Sequence, residues 1–146
     1  MKLAKKIKIT HDTYIFRFAF TDPEFTFGLP VGQHVIFSAN MPTPEKPQGE
    51  LVQRKYTRIS TVQNSGFVDF VIKIYRKDVH PRFPNGGQMT QYLESLNNGD
   101  MMLMEGPKGR LVYEGDGKFI ITRKPLPARK TKIGMVAGGT GITPCY

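Results

Sequence analysis

Arg54-Lys55-Tyr56-Thr57-Arg58-Ile59-Ser60 is the stretch whose reading decides the fold. Side chains alternate across an extended strand, so Arg54, Tyr56, Arg58 and Ser60 share one face while Lys55, Thr57 and Ile59 share the other. A run this polar is not a plain core strand.

Around it the chain reads as a series of strands. Leu51 to Ser60 is expected to be one strand, Asn64-Ser65-Gly66 a turn, and Phe67 to Tyr75 a strongly alternating strand. Upstream, Lys2 to Phe20 gives two strands joined at His11-Asp12, with Lys2, Lys5, Lys6 and Lys8 on a solvated face. Asp22-Pro23 through Pro30 is a loop, and Val31 to Phe37 a further strand. Three prolines and a glycine between Ala39 and Glu50 mark an exposed connection. Downstream, Met89, Tyr92, Leu93 and Leu96 fall at helical spacing, and Asn97-Asn98-Gly99 supplies the stop. Met101 to Glu105 and Lys118 to Thr122 are the remaining strands, with glycine turns at 106–109 and 115–117.

Residues 123–131 are basic and proline-rich and read as a linker. The apolar run Lys132-Ile-Gly-Met-Val-Ala137 then meets the glycine-rich Gly138-Gly-Thr-Gly-Ile-Thr-Pro144, which reads as the start of a βα unit. The expected organisation is a β domain over 1–122, a linker over 123–131, and at 132–146 the first element of a truncated nucleotide-binding lobe.

A chain of 146 residues, 39% hydrophobic, fits one domain with a real core. No apolar run reaches the roughly 18 residues of a membrane span, and Met1-Lys-Leu-Ala-Lys-Lys lacks the apolar region of a secretory signal. The chain is therefore expected to be soluble. The single cysteine, Cys145, cannot form an internal disulfide, which fits a reducing compartment. A net charge of +9 favours a polyanionic partner without saying which.

Arg54-x-Tyr56-Thr57-x-x-Ser60 resembles the flavin-binding signature of the ferredoxin-reductase superfamily. Gly66 to Tyr75, His80 to Glu94 and Lys132 to Pro144 narrow the resemblance to the NADH-cytochrome b5 reductase family, in collinear order over nearly the whole chain. The resemblance implies a six-stranded antiparallel Greek-key barrel with one helix that binds FAD. It also implies hydride arriving from NADH and single electrons leaving to cytochrome b5 or a similar acidic haem protein.

With FAD as the implied ligand, the residues divide among its parts. Arg54 offers a bidentate fork to the diphosphate, and the amides of Gly86, Gly87, Gln88, Met89 and Thr90 stand at the expected helix start, where free N–H groups and the helix dipole attract anions. The resemblance places Thr57 beside the flavin N5 with Tyr56 alongside, the pair nearest the reaction, and makes Ser60 the last member of the signature. It sets Val71, Lys73 and Tyr75 along the ring; Lys73 reads equally well as snorkelling to solvent. His80 and Phe83 are placed to flank the adenine side. Gly139, Thr140 and Thr143 belong to the turn that receives the NADH diphosphate, Thr143 also touching FAD.

Lys55 and Arg58 stand where the family usually has prolines, which frees two backbone torsions and adds cations near the ring. Gln88 and Thr90 replace the commoner lysine and serine. Two rival readings remain: the flavin module of a nitrate-reductase-like enzyme, and a basic nucleic-acid-binding β-barrel, which the absence of RNP-like or helix-turn-helix patterns disfavours. The reading adopted has no nucleic-acid partner, no metal, and a monomer. It is cytoplasmic, and any membrane anchor, at the endoplasmic reticulum or mitochondrial outer membrane, lies outside this chain. NADH versus NADPH stays open.

Overall fold

The computed structural model describes residues 1–42, 45–122 and 128–146. Nine strands and one α-helix follow in the order β1 (Lys2–Lys8), β2 (Thr13–Ala19), β3 (His34–Met41), β4 (Glu50–Tyr56), β5 (Phe67–Lys73), α1 (Gln88–Ser95), β6 (Leu103–Lys108), β7 (Leu111–Gly115), β8 (Lys118–Ile121) and β9 (Ala128–Arg129). All the pairings are antiparallel. The sheets run β1-β2-β5, β4-β3-β6 and β7-β8-β9. Pairing of β2 with β5 and of β3 with β6 joins strands distant in sequence, as in a Greek key. The mainly β, one-helix architecture is the one the sequence suggested.

Alternation explains how the first two sheets meet. Phe16 and Phe18 on β2, Val68, Phe70 and Ile72 on β5, and Val35 and Phe37 on β3 point inward and are almost wholly buried, with Leu3, Leu93 and Met102 closing the ends. Phe37 from one sheet stands edge-on to both Phe18 and Phe70 from the other, at 5.6 and 4.9 Å between ring centroids. Such tilted pairs add about 0.5–1.5 kcal/mol each beyond the area they bury. This aromatic cluster fixes how the sheets face one another.

Several boundaries differ from the expectation. β4 ends at Tyr56, so Arg58 and Ser60 are not on its face. Their hydrogen bonds go elsewhere: the Arg58 guanidinium donates to the Leu29 and Ser60 carbonyls in loops, and the Ser60 hydroxyl accepts from the Asp69 amide in β5. β3 continues to Met41. β6 runs through Gly106-Pro107, where a turn was expected. A Cβ on Gly106 would come within 2.8 Å of the Val35 side chain, so that glycine serves the close approach of β6 to β3. Leu111–Gly115 is a strand the alternation did not reveal.

Residues 123–127 of the expected linker lie outside the described residues, while Ala128–Arg129 pair with β8. Lys132 to Ala137, expected as a strand, forms none, and Val136 is 99% exposed. A strand needs a neighbour to satisfy its backbone groups, and no described strand pairs with this run. The glycine-rich turn that follows forms a 3-10 helix over Gly139–Cys145.

Candidate functional site

A cavity of about 760 Å³ opens where the end of β4, the end of β5, the start of α1 and the 3-10 helix converge. Its size lies within the roughly 300–1,000 Å³ range of small-molecule sites. Arg54, Tyr56 and Thr57 line one wall, and Val71, Lys73 and Tyr75 a second. Gly86 to Thr90 line a third, and Thr140 and Thr143 close the rim.

The helix start is built for close approach. Gly87 is the N-cap with no side-chain cap, and no acidic residue occupies the first turn. The first amides of a helix have no intrahelical acceptor, so this end offers N–H donors and a positive dipole. Gly86 adopts φ +66°, and a Cβ there would meet the Tyr75 carbonyl oxygen at 2.5 Å. Two hydrogen bonds tie this corner to Tyr75, just past the end of β5, and a third closes the corner on itself. The Gly87 amide donates to the Tyr75 carbonyl (2.7 Å), the Tyr75 amide to Thr90 Oγ1 (3.1 Å), and Thr90 Oγ1 to the Gly87 carbonyl (3.0 Å). The Tyr75 hydroxyl lies 3.5 Å from Thr140 Oγ1, which links the rim to the same corner.

Three cations, Arg54, Lys55 and Lys73, and the phenols of Tyr56 and Tyr75 give the cavity its electrostatics. Arg54 is exposed and donates from Nη1 to the Gln53 carbonyl at 2.7 Å. Lys73 Nζ pairs with Asp12 at 3.1 Å, so it is neither purely snorkelling nor free. Asp12 also accepts from the Thr10 and Thr13 hydroxyls, and these bonds, the Thr10 one first, hold its carboxyl at about 2 against the opposing effect of burial. Tyr56 packs on Phe37 at 4.6 Å, and burial, reinforced by Tyr75 and opposed by Arg54, pushes its phenol up to about 12. Tyr56 is therefore a neutral hydrogen-bonding group at physiological pH.

Four sequence-predicted residues fall outside this cavity. Ser60 faces Asp69 as described. His80 and Phe83 stack on one another at 5.3 Å in an exposed loop. That loop turns on itself, the Asp78 amide donating to the Pro84 carbonyl and the Phe83 amide to the His80 carbonyl. Gly139 begins the 3-10 helix without lining the cavity, whereas Gly141 does line it.

Other lining residues were not singled out beforehand, among them Gly32, Gln33, His34 and Asn85, while Lys55, expected only as an added cation near the ring, lines the cavity too. Gly32, with φ +91° and the Leu111 carbonyl against its open side, was the available signal for a shaped turn. Burial, with Lys55 nearby, lowers the His34 pKa, so His34 adds little positive charge. Arg58 keeps its charge next to Thr57, but its guanidinium is turned onto the Leu29 and Ser60 carbonyls. Among the described residues no cluster of His, Cys, Asp and Glu could hold a metal ion, and no helix is long and apolar enough to cross a membrane.

The family described as the oxidoreductase FAD-binding domain matches residues 1–113, and this gives the class of the molecule. NADH-cytochrome b5 reductase 3 of Rattus norvegicus is 49% identical over 148 aligned residues, covering 99% of this chain and 47% of that protein. Nitrate reductase [NADH] 1 of Arabidopsis thaliana is 46% identical over the whole chain, which corresponds to 15% of that enzyme. The solved cytochrome b5 reductase domain of Ulva prolifera nitrate reductase superposes with a TM-score of 0.92 at 39% identity, covering 99% of this chain and 53% of that one. The chain belongs to the FAD-binding oxidoreductase family, as a domain of the NADH-cytochrome b5 reductase type. It spans about half the length of the cytochrome b5 reductases it matches.

Proposed function

We propose that the cavity binds FAD, with the diphosphate between Arg54 and the amides at the start of α1 and the ring beside Tyr56 and Thr57. One observation carries this reading: an arginine at the end of β4 and a glycine-led helix start, distant in sequence, line the same cavity. The uncapped amides fit a phosphate pair, and the corner that presents them needs glycines because Cβ atoms at Gly86 and Gly87 would strike the Tyr75–Lys77 backbone and the Thr90 side chain. FAD supplies the conversion between two-electron and one-electron transfer when bound. The chain's own groups bind and orient it: Arg54 neutralises charge, Thr57 offers a hydroxyl, and Tyr56 offers a neutral phenol and an aromatic wall.

In the whole protein, the domain is proposed to take reducing equivalents from NADH and pass them to an acidic haem protein such as cytochrome b5. Residues 132–146 would be the first element of the nucleotide-binding lobe. The excess of cations, +9 overall, supports an acidic acceptor, through steering that added salt weakens. The second reading, the flavin module of a nitrate-reductase-like enzyme, is supported by the likeness to the Ulva prolifera domain. The isolated chain is proposed to be a monomer that binds FAD with little NADH-dependent turnover of its own. A cytosolic setting is proposed with it, any membrane anchor lying outside this chain.

The test is the visible absorbance of the purified chain titrated with FAD and with FMN. A band shifted by FAD and not by FMN is the expected result; no shift with either, and tight binding of an oligonucleotide instead, would overturn the reading. Arg54→Ala should weaken FAD binding at least roughly tenfold, the scale of losing a charge-assisted contact. Unchanged affinity removes Arg54 from the diphosphate site.

A further inference from the structure

The main cavity has two walls that lie just beyond the last rung of the β3–β4 ladder, Val35 opposite Tyr56: the turn Gly32-Gln33-His34, and Thr57. Arg58 lines a smaller neighbouring cavity together with Gly32, Gln33 and Thr57. Its Nε and Nη2 donate to the Leu29 carbonyl, at 3.3 and 3.0 Å, and its Nη1 donates to the Ser60 carbonyl. Leu29 is itself 3% exposed, so its carbonyl belongs to a segment anchored in the core.

We propose that Arg58 is a positioning residue for the cofactor site: one guanidinium staples the 29–33 strap to the 57–60 segment and so fixes Thr57 and the Gly32–His34 wall relative to one another. This rests on the FAD reading above. The neighbouring bonds show why a clamp is needed there. From Ile59 on, the segment is held by β5, the Ile59 amide donating to the Asp69 carbonyl at 2.9 Å and the Asp69 amide to Ser60 Oγ. Asp69 in turn is locked by a bidentate pair with Arg17 at 2.8 and 2.9 Å. Tyr56 is held by its pairing with Val35. Thr57 sits between two fixed points, and Arg58 ties that interval across to the opposite wall. The planar fork reaches two carbonyls at once, which a lysine ammonium on a flexible stem cannot reproduce with the same geometry.

The residue acts through backbone placement, so its effect is legible without cofactor. Amide hydrogen exchange of the free chain should show faster exchange in both 29–33 and 57–60 for Arg58→Ala, with β2 and β5 unchanged. Titrated with FAD, R58A should bind roughly tenfold more weakly, the scale of losing a charged hydrogen-bonded group. At saturation its flavin band should lose the vibronic shoulders of a rigidly held ring. Millimolar methylguanidinium added to R58A should restore both affinity and shoulders in part. Arg58→Lys should fall between R58A and the unsubstituted chain, and it serves as the test if R58A does not fold. Unchanged exchange in both segments, or FAD affinity and band shape equal to the parent in both variants, overturns the clamp. If the parent chain itself fails to bind FAD, the functional reading fails, and the exchange experiment still decides the clamp.

Discussion

Replacing Gly86 by alanine should damage the cavity in a way that glycine replacement elsewhere does not. Gly86 has φ +66°, close to the left-handed well that an L residue enters at a cost of about 1–2 kcal/mol. The new Cβ would also lie 2.5 Å from the Tyr75 carbonyl oxygen, 2.7 Å from the Arg76 carbonyl carbon and 2.8 Å from the Lys77 nitrogen. These are backbone atoms, so no side-chain rotation relieves the overlap. The segment must move, at a further cost of roughly 1–3 kcal/mol by analogy with overpacked sites. Gly115 is the matched control: its φ is +95°, and nothing lies within 4 Å of an added Cβ. Gly115→Ala therefore costs the torsional part alone. At about 4 °C per kcal/mol for a domain of this size, Gly86→Ala should lower Tm by roughly 8–20 °C and Gly115→Ala by roughly 4–8 °C. Calorimetry of both variants with and without FAD separates the effects further. FAD should raise the Tm of G115A as much as it raises that of the parent chain, and that of G86A by much less. Equal losses in the two variants, or an undiminished FAD shift in G86A, would refute the idea that the Gly86 corner is shaped by contact with the Tyr75–Lys77 backbone.

Two pH dependences follow from the same region. The Tyr56 phenol is raised to about 12, so its contribution to stability is full below the ordinary value of 10 and is lost as pH climbs through about 12. At 1.36 kcal/mol per unit this amounts to roughly 3 kcal/mol. The phenolate difference spectrum between the parent chain and Tyr56→Phe should titrate near 12; a midpoint at 10 means the phenol is not buried as described. Asp12 moves the other way. Its carboxyl is lowered from 3.8 to about 2, so the stability it adds is present above 3.8 and lost as pH falls through about 2. Urea midpoints of the parent and Asp12→Asn should converge across that interval, and a constant difference would show that the Thr10 and Lys73 bonds do not set the shift.

What the sequence revealed, and what it hid, follow from one difference between strands and loops. Period-2 alternation marks which residues face the core, and β2 and β5 read correctly because Phe16, Phe18, Val68, Phe70 and Ile72 are all buried. The arginine strand and the glycine-led helix start could be brought together only through the likeness to a known family, since nothing local links residue 54 to residue 86. Their roles toward a diphosphate remain the proposal made above. Ser60, His80 and Phe83 fall outside the cavity, each in a segment whose course is set by its own hydrogen bonds. For Ser60 that partner is the Asp69 amide, and for the 78–84 loop it is the loop's own carbonyls. The bonds of Arg58 were hidden for the same reason: an arginine following a strand looks like a surface cation until the Leu29 carbonyl is seen to accept from it. Gly106 looked like a turn because close strand approach leaves the same glycine in the sequence as a reversal does.

The cavity and the core are held together by different forces, and this decides how substitutions in them should behave. Core packing rests on buried apolar area, with Phe37 edge-on to Phe18 and Phe70, so changes there lower stability in proportion to the volume lost. The walls of the cavity are short segments tied to that core at single points such as Leu29 and Met89: the end of β4, the strap at 29–33 and the corner at Gly86–Thr90. Each is placed by a few directional bonds, from Arg58 to Leu29 and Ser60, from Gly87 to Tyr75 and from Tyr75 to Thr90. Such bonds contribute only about 1 kcal/mol net to stability, yet they determine position to a fraction of an ångström. A site built this way can be altered without unfolding the domain. Arg58 stands where the resembling family usually has a proline, and its two-carbonyl bridge limits by hydrogen bonding what the proline ring would limit covalently.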